Sequence, residues 1–416
     1  VCSSDLGDEI FAQGGNIIDA AVAVSFAISV ERPQSTGIGG GGFLLFREGK
    51  TGKEYAIDFR ERAPANASLN MFLDEKGNFI SEKSLNGILS VATPGLVAGL
   101  IEIHGRWGKL PLRKVMAPAI VIAEKGLTVS PHLEFALKMR RDVIARDKAA
   151  SKIFLHDDGS PFQAGEKIVQ KDLSRTLRRI ARLGRKGFYE GLVLKKILAT
   201  SKKYNGILSK ADFSNYQVKW RNPVKGTFRG LEIFSMPPPS SGGIHVLQIL
   251  NQLENMPLEK YGPLSAQSIH LTASAMQIAY ADRAVYPGDP DFVQVPTERL
   301  VSKAYAEDRG ALISETRAKK SSEIKAGEPL RPESLETTHF SILDDEGNAV
   351  SSTQTINFAF GSGIVAEDTG ILLNDEMDDF SAKPGTANAY GAIGGSANSI
   401  APKKTPLSSK IGRAHV

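Results

Sequence analysis

The feature that most constrains this chain is a change of period at Thr337. Upstream the apolar pattern is mainly helical, and it ends in a polar, charged stretch at 319–336. Beyond that stretch Thr338, Phe340 and Ile342 alternate with His339, Ser341 and Leu343, the period-two signature of a half-buried strand. The run Asp344-Asp345-Glu346-Gly347-Asn348 predicts a turn, and the chain should return as a second strand from Ala349 to Phe360. With the turn centred near Glu346, paired residue numbers sum to about 692 to 694, which sets Thr337 opposite Thr355 to Asn357. Thr355 and Asn357 then share a strand face, so the hairpin gathers two hydroxyls and an amide at the end that meets the linker.

The upstream portion contains enough helix to require an α+β class. Ile17 to Val30 is apolar or small all round, as a buried helix must be, with Asn16 as its cap. Helices are also predicted over 111–125, 172–183, 244–253 and 264–285, and strands over 43–46, 54–59 and 231–234. The arginines at 175, 178, 179 and 182 read as a solvated helix face. A formal net charge of +5 over 416 residues is too small to argue for nucleic acid. The one cysteine, Cys2, excludes an internal disulfide framework and a Cys-based zinc site, and the seven histidines show no metal-binding spacing. No metal or cofactor is expected. No run reaches the roughly 18 apolar residues that a membrane span needs.

Two phosphate-binding patterns fail on context. Gly37-x-Gly39-x-x-Gly42 matches a dinucleotide fingerprint, but a helix precedes it and a strand comes after it, the reverse of what places a pyrophosphate at a helix N-terminus. Gly49-Lys50-Thr51 lacks the upstream glycine of a phosphate loop, because position 44 is Leu. Threonine chemistry remains. A threonine hydroxyl becomes a competent nucleophile beside a base, and a free α-amine on the same residue, with a reference pKa of about 7.7 to 8.0, can serve. Thr337 stands where such a residue belongs, at the start of a strand after a cleavable stretch. Read by propensity alone, the Thr337-Thr338 pair is an ordinary strand opening.

The choice is made by resemblance. Thr337-Thr338-His339-Phe340-Ser341, Gly361-Ser362-Gly363-Ile364-Val365, Gly370-Ile371-Leu372-Leu373-Asn374, Met377-Asp378-Asp379-Phe380-Ser381 and Pro406-Leu407-Ser408-Ser409 resemble the small subunit of the γ-glutamyltranspeptidases. The Gly39 to Phe43 loop, Asp58-Phe59-Arg60-Glu61, Ser235-Met236-Pro237-Pro238-Pro239-Ser240-Ser241-Gly242-Gly243 and Tyr280-Ala281-Asp282-Arg283 resemble the large subunit, in order, from about Gly7 to Ser409.

The resemblance implies an αββα sandwich of the N-terminal nucleophile hydrolase type, here incomplete. It implies self-cleavage between Glu336 and Thr337, and transfer of a γ-glutamyl group from glutathione or related compounds through a Thr337 acyl-enzyme to water or to an amino-acid or peptide acceptor. Thr355 would support the nucleophile. Arg60, Ser408 and Ser409 would hold the substrate carboxylate, and Asn357, Glu376 and Asp379 its α-ammonium. Tyr390 would belong to a lid over 384–395.

The implied boundaries are 7–336 for the large-subunit portion and 337–409 for the start of the small subunit. Residues 1–6 and 410–416 resemble translated adapter sequence. The family's oxyanion-hole glycines would lie downstream of Ser409, so the chain as written is expected to be inactive while the complete gene product is an enzyme. Periplasmic or extracellular location rests on the resemblance alone. Two alternatives remain open from the sequence: a cephalosporin-acylase-like amidohydrolase and a non-catalytic homologue that acts as a binding protein.

Overall fold

The computed structural model describes residues 3–283, 285–320, 323–324, 337–383 and 395–408. Its organising element is a five-stranded antiparallel sheet. In chain order the strands are β1 (Gly41–Arg47), β2 (Glu54–Asp58), β3 (Lys219–Arg221), β4 (Thr338–Leu343) and β5 (Ala349–Thr355). In space they run β3-β2-β1-β5-β4, so the hairpin beyond the linker is laid against strands from the first part of the chain. Other strands among the described residues form two-stranded pairs. The class is α+β, as expected.

One sheet face carries Leu44, Phe46, Ile57 and Val350 into the main core, with Phe340 and Ile342 packed against it. A helix layer covers that face. Its centre is α2 (Ile17–Glu31), whose residues 17 to 30 are all buried. The N-terminus of α2 is closed by a capping box in which Asn16 and Asp19 satisfy otherwise orphaned N–H groups. Asp19 also accepts the Lys109 and Leu110 N–H groups at 3.1 Å, and the Asn16 amide donates to Trp107 O at 2.7 Å. These bonds tie α2 to the end of α3 (Leu96–Trp107). From the sheet, Gln354 Nε2 shares its two N–H groups among Ser25 O at 3.1 Å, Ser29 Oγ at 3.1 Å and Thr36 Oγ1 at 3.0 Å, which fixes the angle of β5 on α2. The opposite face carries Phe43 and Ala56, which pack with Met236, and leaves Leu343 exposed at its edge.

The helix α1 covers Ser3–Ala12 and buries Leu6 and Ile10, so the boundary expected at residue 6 falls inside a helix. Three expected elements change. The single helix over 111–125 is two, Leu112–Val115 and α4 (Ala117–Lys125), because Pro118 supplies no N–H to continue the first. The helix expected from Leu264 begins at Ala266 as α6 (Ala266–Arg283), since Leu264 has φ 58°, outside the right-handed region; it packs on α5 (Gly242–Leu253). The second strand of the hairpin ends at Thr355 and not at Phe360, because Asn357 (φ 76°) and Phe360 (φ 58°) take left-handed conformations. The segment beyond it turns into a separate core with Ile356, Ala359 and Phe360.

Candidate active site

The ladders place the candidate residues in one row. Throughout β4 and β5 paired residue numbers sum to 692, as in Thr338↔Gln354, so continuing the register sets Thr337 opposite Thr355. Thr355 pairs with Gly41 of β1. Phe43 pairs with Asp58, so continuing that register sets Gly41 beside Arg60. Thr337, Thr355, Gly41 and Arg60 therefore cross one end of the sheet on a common face, spanning about 14 Å at the usual spacing between strands. This is the face turned away from α2, since Gln354 points to α2 and its neighbours Thr353 and Thr355 alternate with it.

The glycine run has its explanation here. A Cβ on Gly40 would lie 2.0 Å from Thr355 O, and one on Gly41 would lie 2.6 Å from both Phe59 O and Glu61 Oε2. Glycine lets β1 pass this close to both flanking strands and leaves the middle of the row free of side chain. The reversed fingerprint at 37–42 is thus a strand-packing device.

Thr355 is fully buried and its Oγ1 accepts the Asn357 N–H at 2.9 Å. The two residues come together through a turn, which corrects the expectation that strand alternation puts them on one face. Asp375 clips this turn: its carbonyl accepts from Asn357 Nδ2 at 3.1 Å, and its carboxylate accepts the Phe358 N–H at 2.9 Å. Burial pushes the Asp375 carboxyl well above the usual range.

Arg60 is fully buried at the other end of the row. Its Nε donates to Pro406 O at 2.9 Å and Nη2 to Leu407 O at 3.1 Å, while Nη1 binds Glu376 and Nη2 binds Asp379. Burial disfavours the charged guanidinium, but Glu376, Asp379 and Glu61 outweigh it and hold the pKa above its ordinary value. Glu376 is fully enclosed, whereas the Asp379 side chain keeps 13% exposure, so Asp379 is the partner that a solute can reach. Asn374 holds this corner by donating to Gly39 O and Ala92 O at 2.8 Å and accepting the Glu376 N–H at 3.0 Å. Asp378 accepts from Ser84 Oγ at 2.5 Å and is buried, so it belongs to the scaffold.

Ser408 is fully buried beside Ser240. Its N–H donates to Pro239 O at 2.9 Å, and its carbonyl accepts from Ser241 N at 2.7 Å and Ser241 Oγ at 3.0 Å. The Pro-Pro-Pro-Ser-Ser motif is therefore the ledge that carries the 405–408 segment to Arg60. The resemblance flagged this motif without giving it a role, and neither Asp375 nor the ledge was named from sequence. Glu336, Tyr390 and Ser409 lie outside the described residues. Among the described residues no group of three or more His, Cys, Asp or Glu is placed to hold a metal ion, and no helix is long and apolar enough to cross a membrane.

This arrangement can read an amino-acid zwitterion. A guanidinium and an accessible carboxylate sit side by side, with hydroxyl and amide groups behind them. Thr337 lies three strands away in the same row.

A family model described as Gamma-glutamyltranspeptidase matches residues 3–412. The chain is 46% identical over 407 residues to the glutathione hydrolase proenzyme of Escherichia coli strain K12, covering 98% of this chain and 70% of that relative. Among solved structures it resembles Helicobacter pylori γ-glutamyltranspeptidase with a TM-score of 0.75 at 44% identity, covering 78% of this chain and 92% of that one. It also resembles a cephalosporin acylase from Bacillus halodurans, with a TM-score of 0.83 at 29% identity, covering 98% of this chain and 72% of that one.

Proposed function

Because this chain belongs to the γ-glutamyltranspeptidase family, we propose that its precursor cleaves itself between Glu336 and Thr337 and then transfers γ-glutamyl groups from glutathione and related donors. The cut divides the large-subunit portion, 7–336, from the start of a small subunit at 337–409. In the first step the Thr337 hydroxyl loses its proton to a base and attacks the Glu336 carbonyl. The peptide C–N bond breaks as the nitrogen takes a proton and becomes the free Thr337 amine, and water then hydrolyses the ester, leaving a Glu336 carboxylate and the Thr337 hydroxyl. That amine then accepts the hydroxyl proton during attack on the γ-amide of a donor, the amine product leaves protonated, and water or an amino-acid or peptide amine resolves the acyl-enzyme.

The observation that carries this reading is the pairing of Arg60 with Asp379 in line with Thr337. A γ-glutamyl donor brings an α-carboxylate that Arg60 can bind and an α-ammonium that Asp379 can bind, exchanging one internal ion pair for two across the interface. Ser408, Ser409 and Asn357 complete the reader, the enclosed Glu376 holds Arg60 from behind, Thr355 supports the nucleophile, and Tyr390 belongs to the lid. An acylase acting on a substrate without an amino-acid head would have no use for this pair. The family relationship also supports export to the periplasm or cell exterior.

The test is a denaturing gel and mass analysis of the full-length precursor, then a glutathione hydrolysis assay. Two fragments with Thr337 as a new N-terminus, and turnover of glutathione, are expected. Thr337→Ala should abolish both. A single uncut band from the unsubstituted precursor, or cleavage at another bond, would refute the reading.

A further inference from the structure

Arg60 is held from two directions, and only one of them is its own side chain. Its Nε and Nη2 grip the carbonyls of Pro406 and Leu407. Its backbone N–H donates to Asp58 Oδ1 at 3.0 Å. The other Asp58 oxygen accepts from Arg221 Nε at 2.8 Å. Arg221 Nη2 lies 3.8 Å from Asp289 Oδ1 and 3.4 Å from Asp291 Oδ2, and Asp289 Oδ2 accepts the Thr405 N–H at 2.8 Å. The chain of contacts therefore closes on the residue next to Pro406.

We propose that Arg221 is a positioning residue for the donor carboxylate site, an ionic strut that sets the distance between Arg60 and the 405–408 segment. It rests on the functional reading above. Three facts make it a strut and not a surface ion pair. Asp58 and Asp289 are each 1% exposed and the Arg221 side chain is 11% exposed, so solvent screens the contacts little. Each aspartate uses its second oxygen on a backbone N–H of the site, so the ionic contacts are rigidly linked to the main chain. The planar guanidinium also meets the two aspartates from separate, rigidly spaced nitrogens, Nε toward Asp58 and Nη2 toward Asp289, a spacing that the one nitrogen of a lysine does not reproduce. Arg221 itself is registered opposite Ala56 in the sheet, so the strut is anchored on the same scaffold that carries Arg60.

The full-length enzyme carrying Arg221→Gln or Arg221→Lys tests this. Self-cleavage reports folding, and initial rates with γ-glutamyl-p-nitroanilide as donor and glycylglycine as acceptor report the site. Arg221→Gln should raise the donor KM about tenfold with kcat within about twofold, less than the roughly hundredfold that misplaced reacting groups cost, because Thr337 is not moved. Arg221→Lys, which keeps one arm of the strut, should fall between. The acceptor KM should not move. An unchanged donor KM, a fall in kcat alone, or equal shifts in donor and acceptor KM would overturn the assignment. Loss of self-cleavage in both variants would assign Arg221 to folding and overturn it as well. If the unsubstituted enzyme itself fails on the γ-glutamyl donor, the functional reading fails instead.

Discussion

Arg60→Lys is the most informative single change, because the structure states what lysine cannot reproduce. Arg60 spreads its donors over four acceptors: two carbonyls, reached from Nε and Nη2, and the carboxylates of Glu376 and Asp379, reached from Nη1 and Nη2. Lysine has three donors on one nitrogen and no Nε. At best it keeps Glu376 and one neighbour, so at least one carbonyl and either Asp379 or Leu407 lose their bond. Each of these bonds has the charged guanidinium as donor, and such a bond contributes about 1.5–3 kcal/mol. With two of them lost, the expected stability loss is about 3–6 kcal/mol. Measured on the uncut precursor with Thr337→Ala, so that one chain is unfolded, urea denaturation should show that loss. In the cleavable enzyme the donor KM should rise at least about tenfold, since one lost charge-assisted bond exceeds the 1.4 kcal/mol of a factor of ten. The acceptor KM should stay within about twofold. A variant with unchanged stability and unchanged donor KM would refute the claim that Arg60 is both a buried structural hub and the carboxylate reader.

Asp379→Asn keeps an acceptor for Arg60 but removes the charge offered to an ammonium; the donor KM should rise about tenfold while the acceptor KM stays put, and an unaltered donor KM would sink that role. Gly40→Ala drives a Cβ into the Thr355 carbonyl at 2.0 Å. It should cost about 1–3 kcal/mol or more and slow the appearance of the two subunits on a gel, whereas normal self-cleavage would count against the close-packed row. His245, in α5, is 1% exposed with no hydrogen-bond partner for its ring nitrogens among the described residues, and burial, aided by Arg283, pushes its pKa down to about 3. The unfolded chain takes up a proton near pH 6.5 that the folded chain refuses until about pH 3. Stability should therefore fall as pH drops through that window, by up to about 1.4 kcal/mol per unit from this residue. Denaturation of His245→Gln at pH 7 and pH 4.5 should show a shallower decline, and an unchanged slope would refute the assignment.

The elements that could be read from sequence are those whose signal is local. The uniform apolar surface of α2 and its Asn16 cap predict a buried helix, and the structure places it over 17–31. The hairpin register is set by a short turn and strict alternation, so the sum of 692 falls within the range expected. The strand end at Thr355 was not legible, because Asn357 and Phe360 adopt positive φ for tertiary reasons: Asp375, 18 residues away, clips the turn. Arg60 on its own looks like a strand-end surface charge. It became a candidate through resemblance, and burial depends on partners 316 to 347 residues away.

Sequence by itself determined the α+β class, the threonine at the head of a strand and the motifs that mark the family, because each of these is written in neighbouring residues. Only the tertiary structure decided that Arg60 joins Thr337 and Thr355 in one row and that Gly40 and Gly41 are there to let strands touch. It also decided that Asp58, Arg221 and Asp289 join both walls of the carboxylate site. Their contacts span 68 to 163 residues of chain, and no local pattern encodes which distant charges meet once water has been excluded from between them.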